Sequence, residues 1–564
     1  MNKLLAHILL LCCIATQAQQ YVPSATFGTD GGLSIDPGPG SDEFNHHHAQ
    51  PDGNLVLTGT GYDINTNSYH VSMLRIDPEC GAVDETFGTL GTVQHYHQGR
   101  TVCKATALQD DGKILGCGMI APDNSGSQQW PGVFRYNADG SVDSTFNGTG
   151  YRRLQFVNGA GDFNKVWVHA DSTITCAGAG FNGQLGAYRF THDGQLDTTF
   201  GNNGAAFINA PNFNLSGEGS GLLLPDSSVI SIVIGNNGSI YNITMAKFDH
   251  EGVPDSTFGV NGLVVSGIEA RMQYALGSAL QDDGRILVSC YFGQNSFLMA
   301  RFMPDGSTDL SYGTNGVSIV PIAFAEGQGM ELLPDGSTLQ FGRQNGEGTV
   351  LKRDVNGAVV STFGSGGFQD ATVLPLNDNF MGGFTTATGA IIGYGGSTGG
   401  ATFVARMAPM DQAEVLPVIS LVDNALRCTG VGQFAWYLNG DPIEGETGNS
   451  IVPTVNGTYT VVLALSENCQ FTSAPFDLLT IGLMEQTSSA VIEVITNPAS
   501  GVLVVHNHGD RVNYVLFDMT GKRLAHGLLG TGRNELPIQH LSQGIYLFRA
   551  ENGSRSSTDR IIVE

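Results

Sequence analysis

The chain is predicted to be all-β, and three observations predict it. Glycine supplies 77 of 564 residues and 41% of the chain is apolar, a turn-rich composition with a sizeable core. Beyond the N-terminal segment no run of ten or more residues combines sustained helical periodicity with freedom from Gly and Pro. A turn-bearing phrase recurs about every 50–60 residues from Tyr21 to Met410, and the C-terminal part alternates apolar and polar residues in short runs. At this length three or four domains are expected.

The N-terminus begins with Met1-Asn2-Lys3, an apolar core from Leu4 to Ile14, and the small-residue stretch Thr16-Gln17-Ala18. This pattern is a secretory signal peptide over residues 1–18, too short for a membrane span. Cys12 and Cys13 raise a lipoprotein alternative, which Leu11 before them disfavours because lipidation signals place a small residue there. No other segment is long and apolar enough to cross a bilayer as a helix, so no transmembrane segment is expected in the mature chain. The net charge of −26 excludes nucleic acid and anionic membranes as partners.

Residues 19–410 carry the repeat. Each unit opens on a phrase such as Leu108-Gln-Asp-Asp-Gly112-Lys-Ile-Leu and closes on one such as Asp143-Ser-Thr-Phe146. The closing aromatic falls at Phe27, Phe87, Phe146, Phe200, Phe258, Tyr312 and Phe363, in steps of 60, 59, 54, 58, 54 and 51. Two tight turns in such a period fit one four-stranded meander per repeat, with Asp-Gly read as a type I′ hairpin. The opening hairpin occurs at Asp52, Asp111, Asp171, Asp226, Asp283, Asp335 and Thr388, so the first closing aromatic precedes the first hairpin and the last unit lacks one. A ring explains that offset, because the segment from Tyr21 to Ile35 then supplies the missing outer strand and covers two sheet edges. The expectation is a seven-bladed β-propeller closed by an N-terminal strand. Phrases such as Gln109-Asp-Asp-Gly-Lys-Ile-Leu and Asp197-Thr-Thr-Phe-Gly resemble the delta-60 repeat family, which implies a propeller and assigns no single activity.

Within the repeat a base precedes the second turn at Arg75, Arg135, Arg189, Lys247, Arg301, Lys352 or Arg353, and Arg406. An acid precedes the landmark at Asp84, Asp143, Asp197, Asp255 and Asp309. Repetition in nearly every unit favours an ion pair or turn cap over a ring of arginines gripping an anion. The sixth and seventh units keep the base without the acid, which singles out Arg353 and Arg406 as candidate ligand contacts. His46-His47-His48 and His95-x-His97 are a second candidate set. In a strand His46 and His48 share a face, as do His95 and His97, and four imidazoles at one channel mouth suit a zinc-like ion. Solvated histidines without a metal are the plainer reading, and no metal or other cofactor is expected. Turns such as Asp110-Asp111-Gly112 and Asp282-Asp283-Gly284 lack the ligand ladder of a calcium loop. There is no G-x-S-x-G elbow, H-E-x-x-H or phosphate-cradling loop, and no catalytic residue is assigned. Trp130, Tyr151, Phe156, Trp167, Tyr291 and Phe292 suit sugar stacking or packing between blades, and packing is preferred. Seven cysteines remain after the signal peptide, without CxxC spacing, and Cys117, Cys176 and Cys290 recur at one place in the repeat as small core residues.

Residues 411–482 alternate around Phe434-Ala-Trp436 and Gly457-Thr-Tyr459, which reads as a compact sandwich and resembles the Ig-like modules of exported Bacteroidetes proteins. Cys428 and Cys469 are its only cysteines, and a disulfide between them is expected in an oxidising compartment. Trp436 lies only eight residues after Cys428, a departure from antibody-type spacing.

Residues 483–564 form a second small sandwich. Asn497-Pro498-Ala-Ser-Gly501, Phe517-Asp-Met-Thr-Gly521-Lys522, Leu541-Ser-Gln-Gly544-Ile-Tyr546 and the closing Ile561-Ile-Val resemble the type A C-terminal sorting domain of the type IX secretion system. Ile495-Thr496 departs from the Tyr-Pro usual before Asn-Pro. The resemblance implies export through the periplasm and outer membrane of a Bacteroidetes-type cell, the secretion machinery as partner, and a secreted or cell-surface location. The leading expectation is a non-enzymatic binding or scaffold protein with a glycan or protein ligand at the channel mouth. The alternative is a carbohydrate-active or other hydrolytic enzyme acting there.

Overall fold

The computed structural model describes residues 19–36, 40–124, 128–154, 161–180, 183–238, 240–269, 275–290, 296–321, 326–371, 378–397, 401–410, 416–466, 468–478, 492–519, 521–552 and 555–564. The predicted signal peptide, Phe156, Tyr291, Phe292 and the boundaries at 411 and 483 lie outside them. The protein is all-β, with the 3-10 turn Phe146–Gly148 as a short interruption. No helix is long and apolar enough to cross a membrane. The chain divides into two compact units, Met1–Leu416 with Ala464–Gln470, and Pro417–Leu463 with Phe471–Glu564.

In the first unit the repeat folds as an antiparallel meander. Thr101–Leu108, Ile114–Ile120, Trp130–Tyr136 and Tyr151–Arg153 form one open sheet in chain order. The same order holds from Gly40–Ala49 to Thr92–His95, from Gly161–Val168 to Ala205–Asn209, and from Asn214–Leu223 to Leu263–Glu269. The strands from Ala275–Leu280 to Phe368–Asp370 make two further meanders, joined by one parallel bridge between Ser296 and Glu326. Second strands such as Ile114–Ile120 are buried at every residue. Neighbours cover both of their faces, so they read as continuous apolar runs rather than alternating ones. Cys117, Cys176 and Cys290 lie in these strands as buried free thiols, as their recurrence suggested.

The last sheet, Asp378–Thr385, Ile391–Ser397 and Thr402–Pro409, takes its outer strands from the N-terminus. Tyr21–Pro23 pairs Tyr21 with Pro409, and Gly32–Ile35 pairs Gly32 with Ala405, both antiparallel. Phe44, Leu55, Leu57 and Leu74 of the first sheet share one core cluster with Ile392, Tyr394 and Val404 of the last. The first strands of the sheets touch in succession: Gly40–Ala49, Thr101–Leu108, Gly161–Val168, Asn214–Leu223, Ala275–Leu280, Glu326–Leu332, Asp378–Thr385, and again Gly40–Ala49.

Both recurring turns have a structural explanation. Gly112 N donates to Gln109 O at 2.9 Å and has φ 81°, while Asp111 is absent from the positive-φ residues. The turn is therefore type I closed by one left-handed residue rather than the type I′ expected from Asp-Gly. Asp111 Oδ1 instead accepts from the Lys113 N–H at 3.2 Å, a side-chain cap that needs no left-handed aspartate. At the second turn the base closes an ion pair: Arg75–Asp84 is 2.7 Å, Arg135–Asp143 2.8 Å, Lys247–Asp255 2.9 Å and Arg301–Asp309 2.7 Å. The same cations lie over the closing aromatics, with Arg135 4.8 Å from the Phe146 centroid and Arg301 4.6 Å from that of Tyr312. Arg135 Nη1 also donates to His192 O of the next meander at 2.6 Å, and Arg301 Nη1 to Val355 O at 2.6 Å. One cation thus fixes a turn, roofs an aromatic and ties successive sheets together.

The expected Cys428–Cys469 bridge is not formed. Cys469 pairs with Cys80, 389 residues away, and Cys428 is a buried free thiol whose Sγ lies 3.1 Å from Thr429 O. The physical reason is the path of Ala464–Gln470, which belongs to the first unit and whose Ser466 Oγ donates to Asp77 Oδ2 at 2.6 Å. Proximity in sequence favoured Cys428; the returning loop brings Cys80 to 5.8 Å in Cα separation.

In the second unit, Ile419–Val422, Ala425–Cys428 and Ser450–Ile451 form one sheet, and Gln433–Leu438, Asp441–Pro442, Gly457–Ala464, Gln470–Thr472 and Phe476–Leu478 another. Trp436 is buried with Nε1 donating to Gly448 O at 2.8 Å, and Tyr459 is buried with its hydroxyl on Val455 O at 2.6 Å. The C-terminal strands also form two sheets, Ile492–Val494, Val502–Asn507, Gly532–Pro537 and Val512–Asp518, Arg523–Leu529, Gly544–Asn552, Arg555–Val563. One core cluster with Leu503, Val505, Leu516, Phe548 and Ile561 joins them. The motif residues hold this fold. Asn497 Nδ2 donates to Arg560 O at 2.7 Å and its Oδ1 accepts from Ile562 N at 2.8 Å, beside a cis Asn497–Pro498 bond. Gly521 closes a turn at φ 83°, Gly544 pairs with Val563, and the Tyr546 hydroxyl donates to Ser542 O at 2.7 Å.

Candidate functional site

Regular strands send alternate side chains to opposite faces, and a bulge re-aims them. Every first strand of the first unit carries a register shift, between Phe44/His46, Cys103/Ala105, Phe163/Lys165, Leu215/Gly219, Ala275/Gly277, Gly327/Met330 and Phe380/Gly382. The residues directly after these shifts are Ala, Gly or Met except at two places, His46 and Lys165. Those two meet. Lys165 Nζ donates to His46 Nε2 at 3.1 Å, across the strand Thr101–Leu108 that lies between theirs in the succession.

Around this contact the first three sheets are polar. Asn45 Oδ1 is 3.0 Å from His46 Nδ1, so the ring carries its proton on Nδ1 and presents the Nε2 lone pair to Lys165. His48 Nε2 bonds Thr106 Oγ1 at 2.8 Å, which in turn is 2.7 Å from Thr58 Oγ1. His47 turns the other way, with Nδ1 2.9 Å from the Tyr394 hydroxyl and its ring stacked on Phe384 at 4.2 Å. Lys104 Nζ is paired with Asp162 Oδ2 at 2.8 Å. Asn164 is 2% exposed, and neither of its amide atoms has a partner among the described residues.

All three imidazoles are held neutral. Burial, then Lys165 and the other two histidines, keeps His46 well below the usual imidazole range. Burial, then His48 and Lys165, bring His47 down to about 3. Burial lowers His48 to about 4, against the bond to Thr106. Burial also lowers the Lys165 ammonium. Asn45, His46, His48, Lys104 and Lys165 each keep a water-accessible edge, so protein surrounds the cluster without sealing it.

The other candidates fall elsewhere. His95 ends the outermost strand of the first sheet, Thr92–His95, and His97 follows it, whereas His46 and His48 lie on the innermost strand. The two clusters therefore occupy opposite edges of one sheet, and the zinc-like arrangement weighed against metal-free histidines has no common position for its four imidazoles. His97 is buried against Phe134 with Nε2 2.8 Å from the Tyr136 hydroxyl. His95 lines an outer pocket of about 560 Å³ with Gln94, Tyr136, Asp139 and Ser141. Arg353 and Arg406 are fully buried and spend their donors internally, which corrects their reading as ligand contacts. Arg353 donates to Ser318 Oγ, Gln340 Oε1 and Phe297 O at 3.0, 2.6 and 2.9 Å. Arg406 donates to Ser24 Oγ at 3.0 Å and pairs with Glu79 at 2.8 Å, the acid its own unit lacks. In the sixth unit Lys352, 5.9 Å from the Phe363 centroid, fills the recurring cation position. Trp130 is covered by Arg153 at 4.4 Å and Trp167 packs between sheets, in line with the packing reading.

Lys165, Asn164, Lys104 and Asp162 were not singled out from the sequence. A signal was present: Asn45, Lys104 and Asn164 each stand seven residues before the hairpin aspartate of their unit, where the later units have Gly219, Leu276, Gln328 and Met381.

Residues 494–564 match the secretion system C-terminal sorting domain family. Residues 109–146 and 281–312 match a family described as a domain of unknown function (DUF5122) beta-propeller. No curated protein matches the chain. Among solved structures, polysaccharide lyase Uly1 is 10% identical, over 71% of this chain and 98% of that one, with a TM-score of 0.37. Sqt1 of Chaetomium thermophilum is 10% identical over 70% and 98%, with a TM-score of 0.38. The alpha-l-arabinofuranosidase arb93a of Fusarium graminearum is 11% identical over 70% and 98%, with a TM-score of 0.33.

Proposed function

With a secretion sorting tail at its C-terminus, we propose that this chain is a binding protein delivered to the cell surface or the medium, whose ligand docks at the His46–Lys165 cluster. The observation that carries the reading is the break in repeat symmetry: two ionisable side chains at a position that other units fill with Ala, Gly or Met. Structural repeats repeat; sites depart from the repeat. The frame around it is read as a seven-bladed propeller of the delta-60 kind, closed by Tyr21–Pro23 and Gly32–Ile35. The cyclic contacts of the first strands and the shared core of first and last sheets support this. The module at 417–478 is read as an Ig-like spacer, on its two sheets and buried Trp436. Export is read as following a signal peptide and the type IX route of a Bacteroidetes-type cell, to a glycan or protein ligand outside.

The hydrolase alternative needs an accessible pair of carboxylates or a carboxylate beside a histidine. Asp42 and His70 do approach, at 3.5 Å over Gly61, but both are 2% exposed. Asp162 is committed to Lys104. Binding is therefore favoured over turnover. The test has two arms. Deleting residues 494–564 should leave the protein in the periplasm, and export of the deleted form would remove the sorting role. The full mature chain, screened against glycan and protein arrays, should bind and release no product, with binding lost in His46→Ala; turnover, or binding indifferent to His46, would overturn the reading.

A further inference from the structure

Lys165 is the one cation of the cluster without a carboxylate. Among the described residues its ammonium has His46 Nε2 as sole partner, at 3.1 Å, and no ion pair with an acid, whereas Lys104 beside it is closed by Asp162 at 2.8 Å. His46 offers only a lone pair, because its Nδ1 proton is directed at Asn45 Oδ1. The preceding residue, Asn164, is buried with no partner among the described residues, and its Nδ2 lies on the side of Gly219, 2.7 Å from where a Cβ there would fall. A charge in a largely enclosed position is ordinarily paired, and a lysine with no acid beside it calls for a counter-ion. The chain as a whole carries a charge of −26, so this local positive charge is not a general feature of its surface.

We propose that Lys165 forms the floor of a binding site for a small oxyanion, a carboxylate or a tetrahedral phosphate or sulfate group, with its Nζ supplying the charge. The inference rests on the central cluster being the ligand site and names the chemistry that site takes. His46 positions the ammonium rather than binding the anion, since its one free nitrogen is an acceptor facing Lys165. The anion group arrives either free or as part of a larger molecule, such as the carboxylate of an acidic sugar. Because the imidazoles remain neutral, affinity is set by the lysine alone and does not rise on mild acidification.

The experiment is isothermal titration of the full mature protein with sodium phosphate, sodium sulfate, acetate, glucuronate and, as the neutral control, glucose. Saturable heats with one or more anions and none with glucose are expected. Phosphate or sulfate alone would identify a free oxyanion, and glucuronate above acetate an anionic sugar. Lys165→Met, which keeps the length and removes the charge, should weaken binding by tenfold or more on the order expected for one charged hydrogen bond. His46→Gln, which retains an acceptor for the ammonium, should bind more tightly than His46→Ala, and the turn control Lys113→Gln, already paired with Asp111, should stay within about twofold of the wild type. Affinity for sulfate or glucuronate, which keep their charge throughout, should be level between about pH 5.5 and 8, where a histidine with an ordinary pKa would titrate; phosphate, which itself titrates in that range, is compared at one pH. No heat from any anion, an unchanged affinity in Lys165→Met, or tightening with acid would each overturn the proposal. A positive titration with silent arrays would keep the anion site and remove only the macromolecular ligand. Lys165→Met loses a buried charge and is expected to fold, which its unfolding midpoint checks independently.

Discussion

Lowering the pH should weaken the first unit through its buried histidines, and His97 gives the cleanest measure. It is 2% exposed, stacks on Phe134 at 5.0 Å between ring centroids, and bonds the Tyr136 hydroxyl. Burial, with a smaller contribution from His95, lowers it to about 3. The folded pKa lies below the unfolded value of about 6.5, so the unfolded chain binds the proton more readily. Stability is then fully present above about pH 6.5 and falls progressively as the pH drops toward the folded value. Between about pH 7 and pH 5 the linkage integral comes to about 2 kcal/mol for this one side chain. Urea unfolding followed by tryptophan fluorescence, on wild type and His97→Gln at both pH values, isolates it, because the remaining groups cancel in the difference. The wild type should lose about 2 kcal/mol more than the variant across that interval. Equal losses in the two proteins would refute the claim that His97 is buried neutral. His47 and His48, at about 3 and about 4, add losses of the same sign.

Ser172 and Ser227 both sit at φ 65°, where the equivalent hairpins have glycine. Ser172→Gly and Ser227→Gly should each raise stability by about 0.5–1 kcal/mol in urea midpoints, and a loss would contradict the shared turn geometry. Arg135→Met should cost about 3–5 kcal/mol by leaving the nearly buried Asp143 without its partner. Adding Asp143→Leu should recover part of that loss, and no recovery would mean that the packing over Phe146, not the ion pair, sets the cost. Peptide mapping of the unreduced protein should find Cys80 linked to Cys469, with Cys428 alkylated only after unfolding. A Cys428–Cys469 peptide would reverse that assignment.

Patterns with a short physical range were legible in the sequence. The meander follows from paired turn signals, the sorting tail from separated motifs, and the base–acid–aromatic unit from residues such as Arg135, Asp143 and Phe146 that close within one turn. The pairing of the N-terminal strands with the last sheet was legible from phase alone, because counting hairpins against closing aromatics needs no coordinates. The turn type was misread, since Asp-Gly fits both a type I′ turn and a type I turn with a left-handed glycine. The φ at Asp111 separates them, and its side-chain cap goes with the type I form.

By itself, then, the sequence determined the class of the fold, its periodic unit and the tail that exports it, because each depends on residues close together in the chain. Tertiary structure decided the rest. Cys80 meets Cys469 because a loop returns, and Arg406 finds Glu79 because the last sheet lies against the first. Lys165 meets His46, 119 residues away, because bulges re-aim side chains on strands that adjoin only through tertiary packing. Such contacts are fixed by strand curvature and packing between sheets, quantities that no local pattern encodes.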